Sequence, residues 1–403
     1  MSRRALATLS FAIFLAGCRP APPPPASPSP SPAPDLVRVE ASELTALGDD
    51  APRETLVAAI DHDVESLGRR PADEIIRLAD AACSVAEMQK SLAALREAAA
   101  TSGSGDLAAY ARGHFAFYHS AGRPDGALVT GYFEPIVDGR RSRQGEFVYP
   151  LYGRPEDLIE VHLGDFFTDG SGRTIAGRVA GGKLEPYPSR REIDGDNVLA
   201  GRGLELAWLD DSVARYFLHV QGSGMVRLAD GSTFRVGFAA SNGKPYTSIG
   251  SLLAADGSLG GEAASAPAIQ HFLRSHPERR DEILFRNERY VFFHEIADGP
   301  IGKLGVKLTE GRSIAVDAAL YPLATLAYLA TEAPTVDSSG QATGRRPLRR
   351  FVLAQDTGVA ITGPGRLDLF FGSGPAAGLE AGYMSEGGEL YFLMPRECIS
   401  PSP

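Results

Sequence analysis

The chain runs to 403 residues and carries 40 Lys and Arg against 50 Asp and Glu, a formal net charge of −10. An acidic chain with no dense Lys/Arg patch excludes a nucleic-acid partner, because phosphates call for a basic face. Its length admits one large or two ordinary domains.

The first residues, Met-Ser-Arg3-Arg4 and then an apolar run from Ala5 to Gly17, have the basic start and short apolar stretch of an export signal over 1–17. The run is too short to span a bilayer, which takes about 20 apolar residues. It ends in Leu15-Ala16-Gly17-Cys18, which resembles the bacterial lipobox, so cleavage before Cys18 and acylation of its thiol are expected to anchor the mature chain to a membrane. Residues 18–34 then form a tether, because Pro20 to Pro34 is almost entirely Pro, Ala and Ser, which buries no core and favours extended polyproline II. At about 3.1 Å per residue it would hold the domain roughly 45 Å from the lipid.

From Asp35 to Ser120 the pattern is helical. Leu56, Ile60, Val64 and Leu67 recur at spacings of three and four, as do Ile75, Leu78 and Ala79, with Pro71 placed to begin that second helix. A third is expected through Ser91 to Ala100, ended by the Thr-Ser-Gly-Ser-Gly stretch at 101–105. From Ala127 the texture changes to short runs rich in Val, Phe, Tyr and Thr separated by Gly, Asp and Pro. Strands are predicted at Ala127–Phe133, Gly145–Tyr152, Ala214–Val220 and Gly224–Phe238, the last folded as a hairpin about Asp230-Gly231. Helices are predicted between Ser248 and Arg280, including Ala266–Ser275, and strands again from Arg289–His294 almost to the end. Cys83 and Cys398 either bridge in an oxidising compartment or stay as two buried thiols; sequence leaves both open.

Several chemistries are disfavoured. No His-Glu-x-x-His occurs, and His114/His119 and His271/His276 are five apart, off the spacing that puts two ligands on one helical face, so no metal is expected. The Gly372–Gly378 loop has one residue too many for a dinucleotide fingerprint and reads as a turn. Neither a phosphate loop nor a nucleophile elbow is present, so no cofactor is implied and carboxylate chemistry remains. Three aspartates stand in apolar, Gly-punctuated contexts: Ile314-Ala-Val-Asp317, Leu353-Ala-Gln-Asp356-Thr-Gly358 and Arg366-Leu-Asp368-Leu-Phe-Phe-Gly372. A carboxylate so placed must be paired, hydrogen-bonded or shifted in pKa.

Asp317, Asp356-Thr-Gly358 with Ile361-Thr-Gly363, and Asp368 with Phe371-Gly372-Ser-Gly374 resemble the three-aspartate domain of the membrane-bound murein transglycosylase A family. Gly131-Tyr-Phe-Glu-Pro135, Arg143 to Pro150, Tyr187 to Glu192, Val220-Gln-Gly-Ser-Gly224, Asn242 to Tyr246 and Asn287 to Phe293 look like that family's other blocks, in its order. The resemblance covers about 127–395 and departs at Thr357-Gly358-Val359, where the family has a second glycine; Val359 disfavours positive φ, so the turn is expected to differ locally.

The resemblance implies a mainly β protein with N-terminal helices. A double-ψ β-barrel would be assembled from 35–152 and 299–403, with a second β-barrel-like domain inserted at 153–298 and a groove between them. It further implies a lytic transglycosylase that cleaves the β-1,4 bond between N-acetylmuramic acid and N-acetylglucosamine in peptidoglycan without water. Asp368 would be the acid/base, Asp356 its supporting partner, and Asp317 a supporting or structural residue. Tyr132, Gln221, Ser223, Tyr246 and Gly363 are the substrate-binding candidates, with Trp208 a further aromatic that could stack on sugar. For Gln221 and Ser223 a tight turn after a strand ending at Val220 is the equal alternative. The expected partners are glycan strands and the membrane, with cell-wall synthesis proteins a further class, and the chain is expected to be a monomer facing the periplasm from a Gram-negative outer membrane. Two rivals remain: a hydrolase using a second carboxyl such as Glu134 or Asp211, and a non-catalytic wall-binding lipoprotein.

Overall fold

The computed structural model describes residues 36–399 apart from 43, 45–46, 102–103, 121–125, 168–172 and 260–264. The export signal, Cys18 and the tether lie outside the described residues.

The N-terminal part comprises β1 (Leu36–Val39), α1 (Arg53–Leu67), the hairpin β2 (Ile75–Leu78) and β3 (Ala81–Ser84), α2 (Val85–Thr101), α3 (Ser104–His114) and β4 (Phe115–Ser120). Helix α1 forms where the three-and-four spacing predicts it, burying Leu56, Ile60 and Leu67. The helix expected from Ile75 is instead the β2–β3 hairpin. Its reversal at Ala79-Asp80 puts Ala79 at φ 51°, without the Gly or Asn that would announce such a turn. Long-range ties hold this hairpin: Cys83 is disulfide-bonded to Cys398, and Ala81 bridges to Ile399.

Strand β5 (Ala127–Glu134) leads into β6 (Ile136–Arg140), β7 (Tyr149–Tyr152), β8 (Ile159–His162), β9 (Thr174–Ala180), β10 (Lys183–Pro186) and β11 (Glu205–Leu209). Next come α4 (Ser212–Gln221), the hairpin β12 (Gly224–Arg227) and β13 (Thr233–Ser241), then α5 (Ile249–Ala255), α6 (Ala266–Ser275), α7 (Pro277–Phe285) and β14 (Val291–Ile296). The strand expected at Ala214–Val220 is therefore helix. Asp211 caps it by accepting from Val213 N at 2.7 Å, and Gly222 stops it at φ 78°. Its apolar run is strand-like in composition, but Val213, Tyr216 and His219 are buried at helical spacing.

The chain ends with β15 (Ser313–Val316), β16 (Leu326–Val336), β17 (Ala342–Asp356), β18 (Arg366–Ser373), α8 (Gly374–Tyr383) and β19 (Ser385–Pro395). Gly372–Gly378 thus spans the end of β18 and the first residues of α8 rather than a plain turn.

Two β-structures result. In the first, the order β19-β16-β17-β15-β18-β5 closes on itself through β5 and β19, making a six-stranded barrel with β4 and β1 appended along β19. The β5/β18 and β15/β17 pairs are parallel and the rest antiparallel, as expected of a double-ψ barrel. Its core includes Ile314, Val316, Leu353, Leu367, Leu369 and Phe392. The second sheet runs β14-β13-β12-β6-β11-β7, with a Gly153–Phe293 bridge joining its ends, and a three-stranded sheet β10-β9-β8 accompanies it. Because β6 and β7 belong to this second sheet, it begins at Ile136, and the boundary expected at 152/153 falls inside it.

Candidate active site

The site is built by register. Asp356 ends β17 opposite Ala315 of β15, Ala315 lies opposite Asp368 of β18, and Asp368 lies opposite Thr130 of β5. Four neighbouring strands therefore present Asp356, Ala315, Asp368 and Thr130 in one row on one face. Strand alternation sends Leu367 and Leu369 into the barrel core and leaves Arg366 and Asp368 facing out. The chain comes close here: a Cβ on Gly131 would lie 2.7 Å from the Phe371 ring and 2.8 Å from Ala381, so only Gly lets α8 pack on β5 beside the row.

These residues floor a groove of about 730 Å³ whose other wall is the inserted domain, with Gln221, Ser223, Phe238, Tyr246, Arg289 and His294 among its residues. Another hollow, beside Tyr328 and Tyr391, lies away from these carboxyls.

Asp356 and Asp368 are the carboxylates that line the groove among the described residues. Both titrate near 6 rather than at the ordinary 3.8: burial is the main cause for each, and for Asp368 the Asp356 charge adds to it while Arg366 opposes it. Their surroundings differ. Asp356 Oδ1 accepts backbone N–H bonds from Lys303 and Thr357, both 2.9 Å, which favour its ionised form without any possible reversal. Asp368 accepts from the Thr130 hydroxyl, a rotor that can also act as acceptor, and has Arg366 at 3.7 Å. The carboxyl of Asp368 keeps 19% of its exposure, so it meets the groove. The Tyr132 hydroxyl is buried without a well-formed hydrogen bond, and burial and both Asp charges raise its pKa well above the ordinary 10.

Some of the residues singled out in the sequence meet in the groove and others do not. Asp356, Asp368, Tyr132, Gln221, Ser223 and Tyr246 share the groove. Asp317 and Gly363 do not: Asp317 Oδ2 accepts from Gly363 N at 2.8 Å and Oδ1 from Ala319 N at 3.0 Å, so the two fasten a turn to each other. Trp208, on β11, is not part of the groove wall. Gln221 closes helix α4 and Ser223 follows it, where a strand was expected, and Gln221 Oε1 accepts from Phe133 N at 3.2 Å, linking the inserted domain to β5. Val359 takes no positive φ; it is 53% exposed at the groove. Thr130, Arg289, Lys303 and Arg366 went unnoticed. Thr130 and Arg366 were findable, since each stands two residues from a recognised one on the same strand face.

A closed barrel carrying a coupled carboxyl pair, with a second β-domain inserted between its halves to wall a groove, defines a three-aspartate barrel protein. Residues 128–294 match the family model described as the MltA specific insert domain, and residues 312–394 match that of the 3D domain. The chain is 32% identical over 269 residues to a membrane-bound lytic murein transglycosylase A of Vibrio cholerae, an alignment covering 66% of this chain and 65% of that protein, just under two thirds of its length. The crystal structure of a membrane-bound lytic murein transglycosylase from Agrobacterium tumefaciens matches with a TM-score of 0.75 at 30% identity, covering 90% of this chain and 98% of that one. The fold is also that of Escherichia coli MltA with bound chitohexaose (TM-score 0.69, 24% identity, 90% of this chain and 94% of that one). The chain belongs to the membrane-bound lytic murein transglycosylase A family.

Proposed function

We propose that this protein is a peptidoglycan lytic transglycosylase that cleaves the β-1,4 bond between N-acetylmuramic acid and N-acetylglucosamine and leaves a 1,6-anhydromuramoyl end. The observation that carries the reading is Asp368, a groove-facing carboxyl held near 6 beside an Asp356 whose backbone donors favour its charge. In this reading the backbone donors keep Asp356 ionised and Asp368 carries the proton of the pair. Protonated Asp368 gives that proton to the glycosidic oxygen as the bond to the muramyl C1 breaks. The resulting carboxylate takes the proton of the same sugar's C6 hydroxyl as O6 bonds to C1, so Asp368 ends protonated as it began and no water is consumed. Intramolecular attack makes a second catalytic carboxyl unnecessary.

The fate of the rival carboxyls supports this over hydrolysis. Glu134 is buried, bound by Arg235 at 3.0 Å and by the Ser373 hydroxyl at 2.6 Å. Asp211 caps α4 and pairs with Arg274 at 2.9 Å. Neither lines the groove, and each is tied to structural partners rather than to a water on the far face of a sugar. The E. coli protein that shares this fold is described with bound chitohexaose, which is compatible with a glycan substrate here. The names of the Vibrio and Agrobacterium relatives support membrane attachment, which the lipobox-like stretch would place at Cys18. Mass spectrometry of peptidoglycan digested by the domain tests the reaction: anhydromuramoyl ends are expected, and reducing muramic acid ends would replace the reading with hydrolysis.

A further inference from the structure

The inserted wall of the groove holds an arginine with no carboxylate partner among the described residues. Arg289 is partly buried just before β14, and that burial lowers its pKa from 12.5 with no acidic group opposing it. Its one side-chain hydrogen bond is a long one to Lys244 O at 3.4 Å, and it makes no ion pair among the described residues. Neighbouring cations are treated differently. Arg190, also at the groove, is bound by the carbonyls of Asn287 and Arg289 at 3.0 and 2.6 Å, by His219 Nδ1 at 3.1 Å and by Asp194 at 3.5 Å. Arg215 beside it has Asp194 at 2.9 Å. A guanidinium withdrawn from water without a counter-ion is costly unless a ligand supplies the anion. The groove's own carboxylates, Asp356 and Asp368, stand on the barrel wall across from the inserted wall that carries Arg289. The planar fork of Arg suits a carboxylate better than a sugar hydroxyl.

We propose that Arg289 is a specificity-determining residue that binds a carboxylate carried by the muramyl sugar. This rests on the peptidoglycan reading above. In that polymer the carboxylate has two sources: the lactyl group of a muramyl residue stripped of its peptide, and the acidic groups of the stem peptide where the lactyl group is amidated. N-acetylglucosamine carries neither, so Arg289 would read the muramyl residue and set which sugar occupies its subsite.

The test measures binding of three glycans to Asp368→Asn protein, in which cleavage is stopped, with Arg or Gln at position 289: chitohexaose, peptide-free glycan and peptide-bearing glycan. Arg289→Gln is expected to weaken the muramyl glycans by ~10- to 100-fold, the range for a charge-assisted bond, and to weaken neutral chitohexaose by far less. Arg289→Lys is expected to recover part of the loss, and added salt to weaken the Arg289 protein's hold on muramyl glycans alone. A loss already present with peptide-free glycan identifies the lactyl carboxylate; one confined to peptide-bearing glycan identifies the stem. An equal loss on chitohexaose, or no loss on either muramyl glycan, overturns the proposal. Failure of the underlying reaction reads separately, as the absence of anhydromuramoyl ends from the wild-type digest.

Discussion

Asp368 and Asp356 are both pushed up to about 6, yet their hydrogen-bond partners differ, and the proposed roles differ with them. Asp368→Asn keeps volume and hydrogen bonding but removes the transferable proton, so release of anhydromuropeptides should fall by at least ~10²- to 10⁴-fold while glycan binding survives. In the wild type the rate should decline as pH rises through about 6, because the acid form of Asp368 is then lost. The Asp356 charge raises the proton affinity of Asp368, so Asp356→Asn should lower the rate less and move that alkaline limb to lower pH, read from kcat/KM profiles of the two proteins. Full turnover by Asp368→Asn with a dead Asp356→Asn would reverse the two roles. Both aspartates could be picked out from their apolar, Gly-punctuated surroundings. Arg289 could not, because its meaning lies in the missing partner, and a sequence does not record which charges are left unpaired.

At the scale of elements, helix α1 packs against the barrel strand that carries Asp356. Gln355, one residue earlier and facing the other way, donates to Asp63 Oδ1 at 2.7 Å and to Ala59 O at 2.8 Å, and accepts from the Ser313 hydroxyl at 2.5 Å. Asp63 is fully buried, its Oδ2 has no partner among the described residues, and burial lifts its pKa from 3.8 to about 8. The folded protein thus holds this proton more tightly than the unfolded chain, and the contribution to stability is complete below 3.8 and lost as pH rises toward 8. Asp63→Asn keeps an acceptor for Gln355 without the ionisation. Denaturant titrations should show the wild type losing stability over that pH window and the variant losing less of it; parallel curves would mean that Asp63 is ionised in the fold. Three-and-four periodicity was a sound guide to α1 and misled at Ile75–Leu78, and residue composition misled at Ala214–Val220. In the first case a disulfide and a bridge from the C-terminus hold a hairpin that local residues do not announce. In the second, a strand-like composition concealed a helix marked only by its cap residues, Asp211 and Gly222.

Across the whole molecule, the ends of the described chain are fastened to the barrel. Arg312, before β15, forms a two-pronged pair with Asp49, both bonds 2.7 Å, and also donates to Phe351 O at 2.8 Å and Thr55 Oγ1 at 2.9 Å. The pair is completely enclosed, so Arg312→Leu leaves Asp49 buried and uncompensated and should cost about 3–5 kcal/mol in equilibrium unfolding. A change under 1 kcal/mol would mean that Asp49 escapes to solvent at little cost. Anchoring is a separate whole-molecule property: Cys18→Ser should give protein that is exported but takes up no palmitate label, and unchanged labelling would remove the lipobox reading.

The sequence by itself determined the family and the chemistry to look for. Its acidic balance, the lack of metal and nucleotide motifs and three aspartates in apolar strands left carboxylate chemistry, and the ordered motifs placed the family. It also determined that a barrel was assembled from separated pieces, though the insertion was expected to start later than Ile136. Only the tertiary structure decided which aspartates meet, because that depends on register across β17, β15, β18 and β5, the last drawn from a distant part of the chain. It separated Asp317 and Gly363 from the groove for the same reason, by fastening them to each other. Burial, which raises the proton affinity of Asp368 and withdraws Arg289 from water, is a property of packed surroundings and exists in no segment alone.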